Sequence, residues 1–188
     1  MSTINSLTAG EIRLLNEYEP ALKEAGLSTK ITAIIDQVNN IVNKLKGDYP
    51  VSKPGLTFGS TDASKVKNAA AFDYTINGVK YSKAISETAF AGTEGAIPSA
   101  GDLYGAWRVV IDAAGTTTIQ EAAANDTGYA TAALALAALP AVPADKAGLG
   151  TVTVLAADGT AFTPGTTELS AANITDAYDD ADTAVEAI

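Results

Sequence analysis

The sequence predicts an α+β protein: N-terminal helices with a short trimeric coiled coil, then a β-rich, mainly antiparallel C-terminal domain. Three observations lead there. The apolar residues Ile31, Ile34, Val38, Ile41 and Leu45 are spaced three, four, three, four. Proline, glycine and small polar residues dominate 48–68. Beyond residue 69 the period falls to two, interrupted by hairpin turns. The divisions that follow are a helical region 1–47, a linker 48–68, and a β-rich domain 69–188 carrying one short alanine-rich helix.

With Ile31 of "ITAIIDQVNNIVNKL" as heptad position a, Val38 and Leu45 also fall at a, Ile34 and Ile41 at d, and Ile35 and Val42 at e. β-branched residues at both a and d disfavour a two-stranded coil, which prefers leucine at d, and shift preference toward trimers or tetramers. The apolar e positions widen the stripe, as higher oligomers require. Burying each such side chain contributes roughly 1.5–3 kcal/mol. Little more than two heptads is marginal alone, so other contacts must help. The competing reading is an amphipathic helix lying on its own domain, which an apolar e position suits equally well. No second helix of matching length follows to serve as an internal partner.

Ahead of this helix, Thr8-Ala9-Gly10-Glu11 has the pattern of a capping box. Pro20 suits the first turn of a second short helix, closed by Gly26. Ser28 or Thr29 can cap the third, which Gly47 and Pro50 end. Two prolines and two glycines within "DYPVSKPGLTFGSTDASKVKN" (48–68) read as a boundary.

"FDYTINGVKYSK" then carries the strongest local signal. Asn77-Gly78 supplies the two positive-φ residues of a type I′ turn. The flanks pair Ile76 with Val79 and Tyr74 with Tyr81, placing Phe72, Tyr74, Ile76, Val79 and Tyr81 on one face. "YGAWRVVIDAAGTTTIQ" predicts a second hairpin turning at Asp112 to Gly115, and "TVTVLAADGTAF" a third turning at Asp158-Gly159. Between them "TGYATAALALAALP" reads as a short helix ended by Pro140.

Composition narrows the function. Apolar residues make up 47% of the 188, but many are alanines, which bury little area, and aromatics are only 6%, so the core is light. A net charge of −10 leaves no basic stripe for nucleic acid and disfavours anionic membrane surfaces. It favours solubility. The N-terminus lacks the basic and apolar regions of a signal peptide, and no stretch reaches the ~18 apolar residues that span a bilayer. Both features predict a chain made in a cytoplasm.

Zero cysteines exclude thiolate chemistry and disulfides, and zero histidines remove the commonest general base and metal ligand near neutral pH. No nucleophile elbow, phosphate-binding loop or dinucleotide fingerprint is present. The acidic run "ITDAYDDAD" (174–182) lacks EF-hand spacing and reads as a solvated terminus. Trp107 and the tyrosines can stack on sugars, but on alternating strands they read first as core. The expectation is a protein that is not an enzyme and has no catalytic residues, cofactor or metal.

From about Ala69 to Tyr178 the chain resembles capsid decoration and head-fibre proteins of tailed bacteriophages, with related modules in tail fibres. The matching stretches are "FDYTINGVKYSKA", "GAWRVVIDAAGTTTI" and "AALPAVPADKAGLGTVTVLAADGTAFTPGTTEL". The resemblance implies a β-rich trimeric module fixed to a virion, with the major capsid protein as partner and the host cytoplasm as place of synthesis. The 68 residues before it lie outside the resemblance. Self-association is then expected through Ile31, Ile34, Ile35, Val38, Ile41, Val42 and Leu45. Attachment to the capsid is expected through Ile4, Leu7, Ile12, Leu14, Leu15 and Leu22, because helices this short need a surface to pack on. Two other readings remain open: a tail-fibre or baseplate component binding a host receptor, and a carbohydrate-binding module.

Overall fold

The computed structural model describes residues 30–35, 38, 47–90 and 95–182, which fall in two units divided between Val42 and Asn43. In the first unit, residues 30–35 and 38 are helical. In the second, the strands in chain order are β1 (Tyr49–Pro50), β2 (Leu56–Phe58), β3 (Lys65–Asn68), β4 (Phe72–Ile76), β5 (Val79–Lys83), β6 (Glu87–Ala89), β7 (Leu103–Asp112), β8 (Thr117–Glu121), β9 (Lys146–Ala156) and β10 (Ile174–Asp180). They form three antiparallel sheets, β1-β4-β5, β2-β3-β6 and β10-β9-β7-β8.

The long pair β7 and β9 sets the core. Strand alternation turns Trp107, Val109 and Ile111 of β7 to one face, where all three are buried. On β9 the apolar residues change parity: Ala147 and Leu149 are odd, whereas Val152, Val154 and Ala156 are even, yet all five join the same core. A bulge reconciles them. Val109 pairs with Gly150 and Val110 with Gly148, leaving Leu149 as the extra residue. One inserted residue flips the face of everything beyond it, so both runs point inward.

Against this face pack Phe72, Tyr74 and Ile76 of β4, Leu56 of β2, Val66 of β3, and Phe90, Ile97, Phe162 and Leu169 from the connections. Trp107 lies edge-on to Phe90 and Phe162, at centroid distances of 5.4 and 5.5 Å, a favoured aromatic arrangement. On the other face of β7 a small second cluster forms around alanines, with Tyr104 at its edge. Ala106 and Ala122 meet Ala135 of the short helix Ala132–Ala137, which Thr131 caps by accepting from the Leu134 amide at 3.3 Å.

Two of the expected hairpins form as read. Asn77 and Gly78 have φ of 50° and 74°, and Ile76 pairs with Val79 and Tyr74 with Tyr81. Val79, placed on the apolar face by alternation, is nevertheless 51% exposed at the hairpin tip. In the second hairpin Gly115 takes φ 79°, and the Asp112 carboxylate accepts from the amides of Ala114 and Thr116. The third does not form. Asp158-Gly159 does turn, with Gly159 at φ 81°, but both edges of β9 are already taken by β7 and β10. Between the turn and β10 the chain makes only an isolated bridge, Phe162 to Ile97.

The α+β class is overturned. Strands account for 42% of the described residues, helix is confined to two short stretches, and beyond the helical residues 30–35 and 38 neither a further N-terminal helix nor a coiled coil is part of the described structure. The stretch 48–68, expected as linker, carries β1, β2 and β3 and buries Leu56 and Val66. Its prolines and glycines serve short strands and the turns between them. The acidic run is likewise not a loose terminus through residue 180. It forms β10, with Ile174 and Tyr178 packed on the core.

Candidate interaction surfaces

On the helical residues of the first unit, Ile31, Ile34, Ile35 and Val38 fall at i, i+3, i+4 and i+7, one face of a helix. They are 38%, 59%, 53% and 51% exposed. Four β-branched apolar side chains on one face, facing water, mark a surface that gains by being covered. The other expected contact residues, Ile41, Val42 and Leu45 of the same stripe and Ile4, Leu7, Ile12, Leu14, Leu15 and Leu22, lie outside the described residues.

A second apolar surface belongs to the β-rich unit. The helix Ala132–Ala137 turns Ala135 to the sheet and Leu134 outward, 56% exposed, with Leu136 at 37% and Val142 at 38%. Leu134 and Leu136 are two apart, so they cannot both share the inward face of a helix. The inward positions go to alanine, which lets the helix sit close to β7. No charged residue occurs from Thr127 to Ala144. Beneath this segment the Arg108 guanidinium donates to the Pro140 carbonyl. Spacing within the alanine run could have revealed these outward leucines.

An open groove of about 490 Å³ lies beside β9 and the end of β10, lined by Asp48, Pro50, Arg108, Val142, Asp179 and Asp180 among others. Two of its carboxylates are committed to the backbone. Asp180 Oδ1 accepts from the Leu56 amide at 2.9 Å, and Asp48 Oδ1 from the Asn77 amide at 2.6 Å. Among the described residues no three acidic side chains converge as a metal-holding group.

Among the described residues the shifted ionisable groups move away from neutrality. Hydrogen bonds from the Ser64 hydroxyl and amide, helped by Lys65, bring Asp62 down to about 2. Lys80 and Ser82 lower Asp73, and the Thr61 amide lowers Glu87. Burial raises Tyr178, reinforced by the neighbouring Asp176 carboxylate, and raises Tyr74. Lowered acids and raised phenols hold their ordinary charge states more firmly, which suits structural rather than proton-transfer roles. Trp107 is 2% exposed, so its ring is not offered to a sugar.

Comparison with protein-family models, with curated proteins and with solved structures finds no match.

Proposed function

We propose that this chain is a structural protein of a tailed-phage virion, a homotrimer that binds the major capsid lattice as a decoration or head-fibre protein. The observation that carries the reading is the apolar face of the helical residues, where Ile34, Ile35 and Val38 are each more than half exposed in a single copy. Covering this stripe with copies of itself would take these side chains out of water, which supports self-association. The three stretches that resemble decoration and head-fibre proteins support the virion assignment. Burial of Trp107 weighs against the carbohydrate-binding alternative. Attachment is assigned to the apolar set between Ile4 and Leu22.

Mass measurement of the full chain tests the assembly. A trimer is expected, and Ile34→Asp with Val38→Asp would place unpaired charges inside the contact and disperse it. A trimer of unchanged stability in that double variant removes the stripe as the interface. Labelled antibody on intact particles tests location: label on the head supports the reading, while label confined to the tail favours the receptor-binding alternative.

A further inference from the structure

We infer that Asn77 is a site of spontaneous deamidation, and that its conversion opens a clasp holding the β4–β5 hairpin tip to the starts of β1 and β9. Asn77 is exposed at the tip, and the residue after it is glycine, whose missing side chain leaves its backbone nitrogen unhindered. The Gly78 nitrogen, on losing its proton, forms a bond to Asn77 Cγ. The Cγ–Nδ2 bond breaks and ammonia leaves, giving a five-membered imide. Water then opens the ring at either carbonyl. One product is aspartate; the other is isoaspartate, with the main chain routed through the side-chain carbon.

The consequence follows from what Asn77 holds. Its backbone amide donates to Asp48 Oδ1 at 2.6 Å, and its side-chain Nδ2 donates to Asp145 Oδ1 at 2.7 Å. Asp48 immediately precedes β1 and Asp145 immediately precedes β9, so one asparagine ties three segments distant in sequence. Deamidation replaces the Nδ2 donor with a carboxylate oxygen facing the Asp145 carboxylate. A hydrogen bond to a charged acceptor becomes a like-charge contact, and Asp48 adds a third negative group nearby. Isoaspartate also lengthens a two-residue turn on which the Ile76–Val79 pairing depends. The Asp145 contact also restrains the side-chain amide that must swing to meet the Gly78 nitrogen, so releasing it should speed the reaction.

Folded full-length protein held at mildly alkaline pH, followed by peptide mapping of the segment containing Asn77, gives the first readout. Aspartate and isoaspartate should accumulate at residue 77, several-fold faster in Asp145→Ala than in wild type. Asn77→Asp should melt below wild type, and Asn77→Asp with Asp145→Asn, which restores a donor facing a carboxylate, should recover most of the loss. The inference is overturned if residue 77 keeps its amide while other asparagines of the folded chain convert. Equal rates in Asp145→Ala and wild type, or a wild-type melting temperature for Asn77→Asp, overturn it as well.

Discussion

The side chain of Asn125 hydrogen-bonds both the amide and the carbonyl of Ala106. The Ala106 amide donates to Asn125 Oδ1 at 3.1 Å, and Asn125 Nδ2 donates to the Ala106 carbonyl at 3.0 Å. On this edge β7 is bridged at Tyr104 by Tyr129 and paired from Trp107 onward by β8. Ala106 sits in the gap between them, fully buried, and Asn125 is only 1% exposed. A buried backbone amide without a partner is strongly unfavourable, so a side chain that imitates a strand is the means of continuing the sheet here.

Asn125→Leu keeps much of the volume and removes both hydrogen bonds. The Ala106 carbonyl still accepts from the Ala122 amide at 3.0 Å, whereas its amide loses its partner. The expected destabilisation is about 2–3 kcal/mol, read from chemical denaturation. A change within about 0.5 kcal/mol, the usual range for surface substitutions, would mean that the amide finds another acceptor.

Much of the local structure was legible in the sequence, and little of the long-range pairing was. Asn77-Gly78 and the Asp112 to Gly115 turn announced their hairpins because a short loop fixes the register of its own flanks. The pairing of β9 with β10 had no such local signal, since the chain between them turns at Asp158-Gly159 and then wanders through the Phe162 bridge before returning. Proline and glycine misled in 48–68: Pro50 lies on the outermost strand of its sheet, where a missing amide donor is tolerated. The apolar helical stripe was visible from Ile31 to Val38, but periodicity shows only that a face is apolar and not what covers it. Asn125 escaped notice because a lone asparagine before an aspartate and a threonine resembles ordinary turn chemistry.

Asp62 predicts an acid-sensitive contact. Its Oδ1 accepts from the Ser64 amide at 3.0 Å and the Ser64 hydroxyl at 2.7 Å, and Lys65 pairs with Oδ2 at 3.1 Å. The folded pKa, about 2, lies below the ordinary 3.8, so the folded state binds this proton less readily than the unfolded chain. Its contribution is therefore present above pH 3.8 and is lost as pH falls toward 2. Asp62→Asn should flatten that part of the melting temperature profile. Because the Ser64 hydrogen bonds are the larger cause, added salt should change the difference little. Identical acid limbs for the two proteins would rule Asp62 out as a source of acid sensitivity.

Gly150 predicts the sharpest effect of a single methyl group, because it is where the bulge and the sheet's edge strand meet. Its φ of 151° is one that side-chain-bearing residues rarely adopt. A Cβ built there would stand 2.4 Å from the Asp179 carbonyl and 2.7 Å from Leu56 Cδ1. The leucine tip can rotate, but the carbonyl belongs to β10, whose Asp180 pairs with Gly150 itself. Relief requires β10 to move away from β9, and that movement also strains the Asp180 hydrogen bond to the Leu56 amide. Gly150→Ala should therefore cost roughly 2–3 kcal/mol, combining backbone strain with overpacking. Gly159→Ala is the control: its φ of 81° is also positive, yet a Cβ there meets nothing within 4 Å, so only backbone strain applies. Equilibrium unfolding of the two variants separates the terms, and equal losses would mean that β10 yields freely and does not brace the bulge.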